Sequence, residues 1–420
     1  RALLFSRPPA RSILIYFAFL IITLAAYLAS FDNSFRDDDF VFIRSVAESE
    51  SPKEFFHTSE RFAFYRPGAL LLFWTEYRFF GVEDAGAYLR MNFRIHIILS
   101  ACLLGLLRRL GATWNTTLLA GGLFAVGLGH YGKQVMWAST SGPLFAILLV
   151  VCAVWQAAGY MGIMTNSPPT QPAKKYGLLA GASILMMIAP AFHEVGLTAP
   201  FLTVALLWAW GGKAPGRRWL LVPSVLTVVV WAMIYRSVSG GYESYQSAAD
   251  AVLRAPVVLF RYLGFMLLPI QESSLVHGQP APVRSLLGIA GPLHVILGAA
   301  AVAGSVYLLL RGSRRAKFLV VWLYVALIPF CFIGLPEGWL ELRYVYFAAA
   351  PLCALISTEL LERLYKRGRA RRGLAVAMVV LATAATVFVT VTLERQYDAQ
   401  SQSPANQQRL HDLRQFISDD

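Results

Sequence analysis

Long uncharged runs recur along this chain, and short stretches between them hold most of its charge. The run "SILIYFAFLIITLAAYLAS" (Ser12–Ser30) has no charged residue and is long enough to cross a hydrocarbon core of roughly 30 Å. It is long, lacks a small-x-small cleavage site and is followed by many similar runs, so it reads as a retained anchor rather than a signal peptide. The pattern predicts spans at 12–31, 89–107, 114–130, 139–161, 176–192, 195–211, 219–236, 285–310, 317–333, 344–361 and 373–392. One further segment, "APVVLFRYLGFMLLPI" (Ala255–Ile270), is apolar but short and contains Arg261. It is expected to be an interfacial or re-entrant helix inside a long loop, 237–284. The expected fold class is thus an all-α polytopic membrane protein. It would have about eleven transmembrane helices plus interfacial or re-entrant helices on its outer face.

Basic loops set the phase of the crossings. Arg1, Arg7, Arg11, Arg108, Arg109, Lys174, Lys175, "GKAPGRR" (Gly212–Arg218), "RGSRRAK" (Arg311–Lys317) and "RLYKRGRARR" (Arg363–Arg372) all fall on one side if there are eleven spans. That side is expected to be the cytoplasm, with the N-terminus inside and the C-terminus outside. A full crossing at 255–270 would move "RGSRRAK" to the opposite side. The division expected is a transmembrane domain, 1–393, and a polar tail, 394–420, with a short amphipathic helix after Pro404. The first outer loop is 32–88, and "IMTNSPPTQPA" (Ile163–Ala173) is an inner linker rich in turn residues.

Composition agrees: 57% of residues are hydrophobic and 15% charged, against about 25% charged in soluble domains. The formal net charge is +13. A nucleic-acid partner is excluded by its layout, because the basic residues sit in loops between spans and no basic face carries interleaved aromatics. Cys102, Cys152, Cys331 and Cys353 lie in or beside apolar runs without a CxxC spacing, which argues against a disulfide framework or zinc site.

The charges off the basic side converge on the expected outer face. "SFRDDDFVFIR" (Ser34–Arg44) puts Asp37, Asp38 and Asp39 just after the first span, with His57, Glu60 and Arg61 further along the loop. Taken alone, three carboxylates in a row read first as a solvated loop. They also suit a general base, or a hard cation at Asp38 and Asp39, although the spacing matches no known metal loop. "FYRPGALL" places Arg66-Pro67 at the start of a short interfacial helix carrying Glu76 and Arg78. Asn92 and His96 share one face of the second span, either as inter-helix hydrogen-bonding groups or as pocket lining. Lys133 and Trp137 mark an outer turn, His193-Glu194 a tight hairpin, and Arg343 opens a late span with Tyr344 and Tyr346, after Glu337 and Glu341. Arginine and lysine neutralise phosphate oxygens, so a phosphorylated donor and a carboxylate base are both provided for.

The order of these pieces resembles the C-type (GT-C) superfamily of polytopic glycosyltransferases. It is most similar to bacterial relatives of the protein O-mannosyltransferases and of the transmembrane mannosyltransferases with tetratricopeptide repeats. The residues that carry the resemblance are "DDDF" after the first span, Arg66-Pro67, Asn92-x-x-x-His96 ahead of "LLRRLG", the turn "HYGKQVMW", His193-Glu194 and "ELRYVYF". Tyr131 stands where that group usually has proline, His193 where it usually has lysine, and no tetratricopeptide domain follows.

The resemblance implies an inverting transfer of sugar from a polyprenyl-phosphate carrier to an acceptor on the extracytoplasmic side of a bacterial inner membrane. Asp38 would be the base, with Asp39 or Asp37 assisting. Arg343, Arg66, Lys133 and His193 would hold the donor phosphate and lipid. Glu194, Asn92, His96 and Tyr344 would line the pocket. Partners would be the lipid-linked sugar, membrane lipids and a protein, lipid or glycan acceptor. A non-catalytic scaffold or accessory subunit of a membrane complex is the alternative. A lipid or small-molecule transporter is disfavoured, because the ionisable residues sit at the rim and no internal repeat is evident.

Overall fold

The structure is a computed structural model and describes residues 10–57, 65–127, 132–163, 171–210, 217–238, 248–268, 290–332, 342–366 and 369–419. Glu60, Arg61, Glu337 and Glu341 lie outside the described residues, as does most of the 163–173 linker. Helices make up the described chain, with no strand among them. In order they are α1 (Ala10–Tyr27), α2 (Asp38–Ala47), α3 (Pro67–Phe80), α4 (Ala85–Arg109), α5 (Trp114–Val126), α6 (Ser141–Tyr160), α7 (Pro172–Phe192), α8 (Thr198–Trp210) and α9 (Leu221–Val238). They continue as α10 (Ala248–Leu267), α11 (Ala290–Arg311), α12 (Arg314–Cys331), α13 (Tyr346–Leu355), α14 (Arg369–Ser401) and α15 (Pro404–Asp419).

Among the described residues, eight stretches are long and apolar enough to cross a membrane: Ile13–Asp32, Ala85–Arg109, Ala138–Tyr160, Pro172–Phe192, Arg218–Ser237, Gly291–Arg311, Arg343–Leu364 and Arg371–Phe388. They match eight of the eleven expected spans. The other three expected spans are helical but shorter or more charged: α5 has 13 residues, Glu194–Trp210 is a shorter apolar stretch, and α12 begins with Arg314, Arg315 and Lys317. The outward faces are apolar, as at Leu14, Phe17 and Ile21 of α1, Val225 and Met233 of α9, and Leu381 and Phe388 of α14. Such faces suit lipid and not water. The chain is an integral membrane protein.

The segment expected to be an interfacial or re-entrant helix is helical and starts earlier than 255. α10 is one continuous helix of 20 residues through Pro256, about 30 Å long. It packs antiparallel on α11, and glycine permits the contact. A Cβ on Gly264 would stand 1.9 Å from the His294 carbonyl oxygen, and one on Gly298 2.0 Å from that of Phe260. Small residues that let backbones touch are a recurrent device for helix association in membranes.

At one end of the bundle lies a second apolar cluster, formed by Phe35, Phe42, Ile43, Phe55, Leu70, Phe73, Tyr88 and Ala138 with Leu410 and Leu413. The residues expected to be a polar tail therefore fold back. α14 runs past residue 393 to Ser401, and α15 packs on α2. Asn406 Nδ2 donates to the Phe35 carbonyl at 2.7 Å, the Arg44 guanidinium lies 4.7 Å from the Phe416 ring, and Arg414 pairs with Glu83 at 2.6 Å. At the opposite end Ser313 and Arg315 meet Glu359, about 24 Å along the helix from Arg343. The basic segment 311–317 thus stands away from the carboxylate loop, as the charge pattern requires.

Candidate active site

Three consecutive aspartates have three different environments. Asp37 precedes α2 with φ 47° and ψ −116° and is exposed. It is the only non-glycine residue at positive φ among the described residues. Asp38 opens α2 with its side chain 57% exposed. Asp39 is 1% exposed. Successive helical residues point about 100° apart, so a helix start at this position separates the two carboxylates. Asp39 Oδ1 accepts from the Ser139 N–H at 2.7 Å, and Oδ2 from the Arg36 N–H at 3.1 Å. Burial pushes its carboxyl up to about 7, against the pull of Arg36 and these donors. Asp39 thus ties the first loop to the turn Ala138–Thr140.

That turn is held from several directions. Asn92 Nδ2 donates to the Trp137 carbonyl at 2.8 Å. Buried Glu76 accepts from Ser141 Oγ at 3.1 Å, and burial pushes its carboxyl up to about 8. Arg36, itself buried, donates to the Met136 carbonyl at 3.1 Å. The Trp137 ring carries two cations, with the Arg36 guanidinium 5.3 Å and the Arg343 guanidinium 4.7 Å from its centroid. Such contacts are worth about 0.5–2 kcal/mol each. Arg343 Nη1 stands 3.9 Å from Asp38 Oδ2.

A second charged group adjoins this one. Arg66, just before α3, binds Glu194 with Nε at 3.0 and 2.9 Å from the two carboxylate oxygens and Nη2 at 2.6 Å. His193 Nδ1 accepts from the Val195 N–H at 3.1 Å. Burial, together with Arg66, pushes the His193 imidazole down to about 3, so it is neutral at neutral pH. Arg343 lies within electrostatic reach of His193 and joins the two groups.

The remaining candidates fall elsewhere. His96 is fully buried, with Nδ1 2.7 Å from the Tyr346 hydroxyl and Nε2 2.8 Å from the Ala125 carbonyl. A carbonyl only accepts, so Nε2 carries the hydrogen and Nδ1 accepts from tyrosine. Asn92 is likewise fully buried. Both tie helices together and do not line a pocket, because burial leaves them no surface to offer a ligand. Tyr344 stacks on Phe330 with ring centroids 4.3 Å apart, beside Arg343. Lys133 lies on a short helical turn, Gly132–Val135, and its side chain is outside the described residues. For a divalent metal the fit is poor. Asp39 turns into the protein with both oxygens engaged, Asp38 faces Arg343, and no cluster of three His, Cys, Asp or Glu forms among the described residues. Arg36, Glu76 and Trp137 were not among the sequence candidates for this site. Arg36 was legible only as a charge flanking the aspartates.

This helical bundle has counterparts among solved structures. The fold is that of an archaeal oligosaccharyltransferase. The Archaeoglobus fulgidus enzyme in complex with zinc and sulfate superposes with TM-score 0.55 at 16% identity, over 91% of this chain and 53% of that one. Its apo form superposes with TM-score 0.54 at 14% identity. The form named AglB, bound to an inhibitory peptide and a dolichol-phosphate, superposes with TM-score 0.52 at 14% identity, covering 93% of this chain and 56% of that one. The chain spans about half the length of the oligosaccharyltransferase, and the likeness is one of fold, GT-C-like and polytopic. No family model and no curated protein sequence matches the chain.

Proposed function

We propose that the chain is a GT-C glycosyltransferase that moves a sugar from a polyprenyl-phosphate donor to an acceptor hydroxyl on the extracytoplasmic face. The observation that carries this reading is the pairing of an exposed carboxylate, Asp38, with Arg343 3.9 Å away, beside His193 and the Arg66–Glu194 pair. In the reaction, the acceptor oxygen attacks the anomeric carbon and gives its proton to Asp38. The bond from that carbon to the phosphate oxygen breaks, and the lipid phosphate departs with the electron pair. A single displacement inverts the anomeric centre. Charge grows on the departing phosphate, and Arg343 stabilises it there more than in the ground state.

Asp38 is the base because it is the aspartate that is both accessible and cation-paired. Asp39, with its oxygens on backbone donors, is a positioning residue. Arg66 has Glu194 as its partner, so its role is to shape the donor end of the site, with the neutral His193 between it and Arg343. The fold shared with an enzyme whose structure was solved in complex with dolichol-phosphate supports a lipid-linked donor. The test is release of lipid phosphate from a panel of polyprenyl-phosphate hexoses by the purified chain in nanodiscs. Release that disappears in Asp38→Asn supports the proposal. A chain that releases no lipid phosphate from any donor when sugar and hydroxyl-bearing peptide acceptors are supplied would overturn it.

A further inference from the structure

The first loop and α15 enclose a cavity of about 250 Å³, lined by Arg36, Asp37, Ser403, Ala405, Asn406 and Arg409. It lies one residue from Asp38. Arg36 connects it to the phosphate side, since its guanidinium lies over the same Trp137 ring as that of Arg343.

Asp37 supplies an independent pointer. Its backbone conformation, φ 47° and ψ −116°, is strained for an ordinary L residue, and such strain concentrates at ligand sites. Helix capping does not account for it, because the Asp37 side chain makes no cap hydrogen bond to α2. The strained backbone instead presents a carboxylate to the cavity.

The lining selects the ligand. Asp37 repels an anion, and Arg36 with Arg409 repels a cation. An uncharged group rich in hydroxyls uses both, donating to the Asp37 carboxylate and accepting from the exposed Arg409 guanidinium, with Ser403 beside them. No aromatic lines the space, and its volume lies below the ~300–1,000 Å³ of drug-sized sites, so it suits one small polyol ring. We propose that this cavity is the acceptor subsite and that the acceptor is a carbohydrate, with α15 forming one wall. This rests on the glycosyl-transfer reading above, and it adds the acceptor class to it.

The test is saturation-transfer NMR on the full chain in nanodiscs. The probes are a panel of methyl pyranosides, a serine- and threonine-containing peptide, and inorganic phosphate. A methyl pyranoside is expected to bind in competition with its own unlabelled excess, and to bind about tenfold more weakly or worse in Asp37→Ala and in Arg409→Ala, each losing a charged hydrogen bond. Both side chains are exposed, and circular dichroism and thermal melting confirm that each variant is folded. Asp38→Asn is expected to keep pyranoside binding. Pyranoside binding in a chain that releases no lipid phosphate would leave the subsite standing and remove the transferase reading. The subsite is overturned if no pyranoside binds, if peptide or phosphate takes the cavity instead, or if both variants bind as the parent does.

Discussion

Arg343 lays its guanidinium 4.7 Å from the Trp137 ring centroid while its Nη1 stands 3.9 Å from Asp38. One flat ring thereby holds the cation proposed to face the phosphate beside the carboxylate proposed as base. Trp137→Leu should keep the fold and lower lipid-phosphate release about tenfold, with Trp137→Phe in between. Arg343→Lys keeps the charge but loses the planar stacking group, and should fall further than Trp137→Phe. Equal activity in all three would remove the ring from the mechanism.

Asp38 and Asp39 should separate cleanly on mutation. Asp38→Asn should abolish release with an unchanged melting temperature. Asp39→Ala should be destabilised by about 1–3 kcal/mol, because it leaves the Ser139 and Arg36 N–H groups buried without their acceptor. Melting curves of the two variants, read beside activity, decide it.

Stability should fall as pH rises above about 6.5. Asp39 goes from an ordinary carboxylate value near 3.8 to about 7 on folding, and Glu76 from 4.5 to about 8, both through burial. The folded state therefore holds protons that the unfolded state has lost. Their contribution is complete below about pH 4 and disappears as pH passes 7 to 8, at about 1.4 kcal/mol per pH unit for each group. Melting temperature should slope downward between about pH 6.5 and 8, above the range in which the depressed His193 imidazole opposes the trend, and Glu76→Gln should flatten the upper part of that slope.

Gly264 and Gly298 should tolerate nothing larger. Their missing side chains let α10 and α11 touch backbone to backbone. Gly264→Leu should separate the pair and lower folded yield, whereas Gly304→Leu on the same α11, where an added Cβ meets nothing within 4 Å, should be neutral. Fluorescence size-exclusion profiles would report both.

Asp37→Gly should raise stability by about 1 kcal/mol, since glycine adopts φ 47° without the strain. It should at the same time weaken pyranoside binding. A gain in melting temperature with undiminished binding would separate the strain from the cavity.

The fold was legible in the sequence where a run was both long and free of charge, because lipid imposes that pattern directly. It was less so at α10, whose Arg261 argued for a broken segment, while glycine contacts that hydropathy does not register make it a continuous helix. The aspartates and Arg343 were legible as charges on the expected outer face. Their separate environments were not, since they arise from where α2 begins. α15 carried a readable signal: Leu410, Leu413 and Ile417 follow one face of a helix, with Asn406 a turn before them. The amphipathic helix expected after Pro404 is present, and what the pattern does not disclose is that its apolar face returns to α2.

Asn406 binds the backbone of Phe35 across 371 residues of chain. The carboxylate loop emerges early in synthesis, but its last wall is made only when the ribosome has passed residue 413. A nascent chain threaded into the membrane therefore carries its acidic residues before Asn406 has been made to close over them.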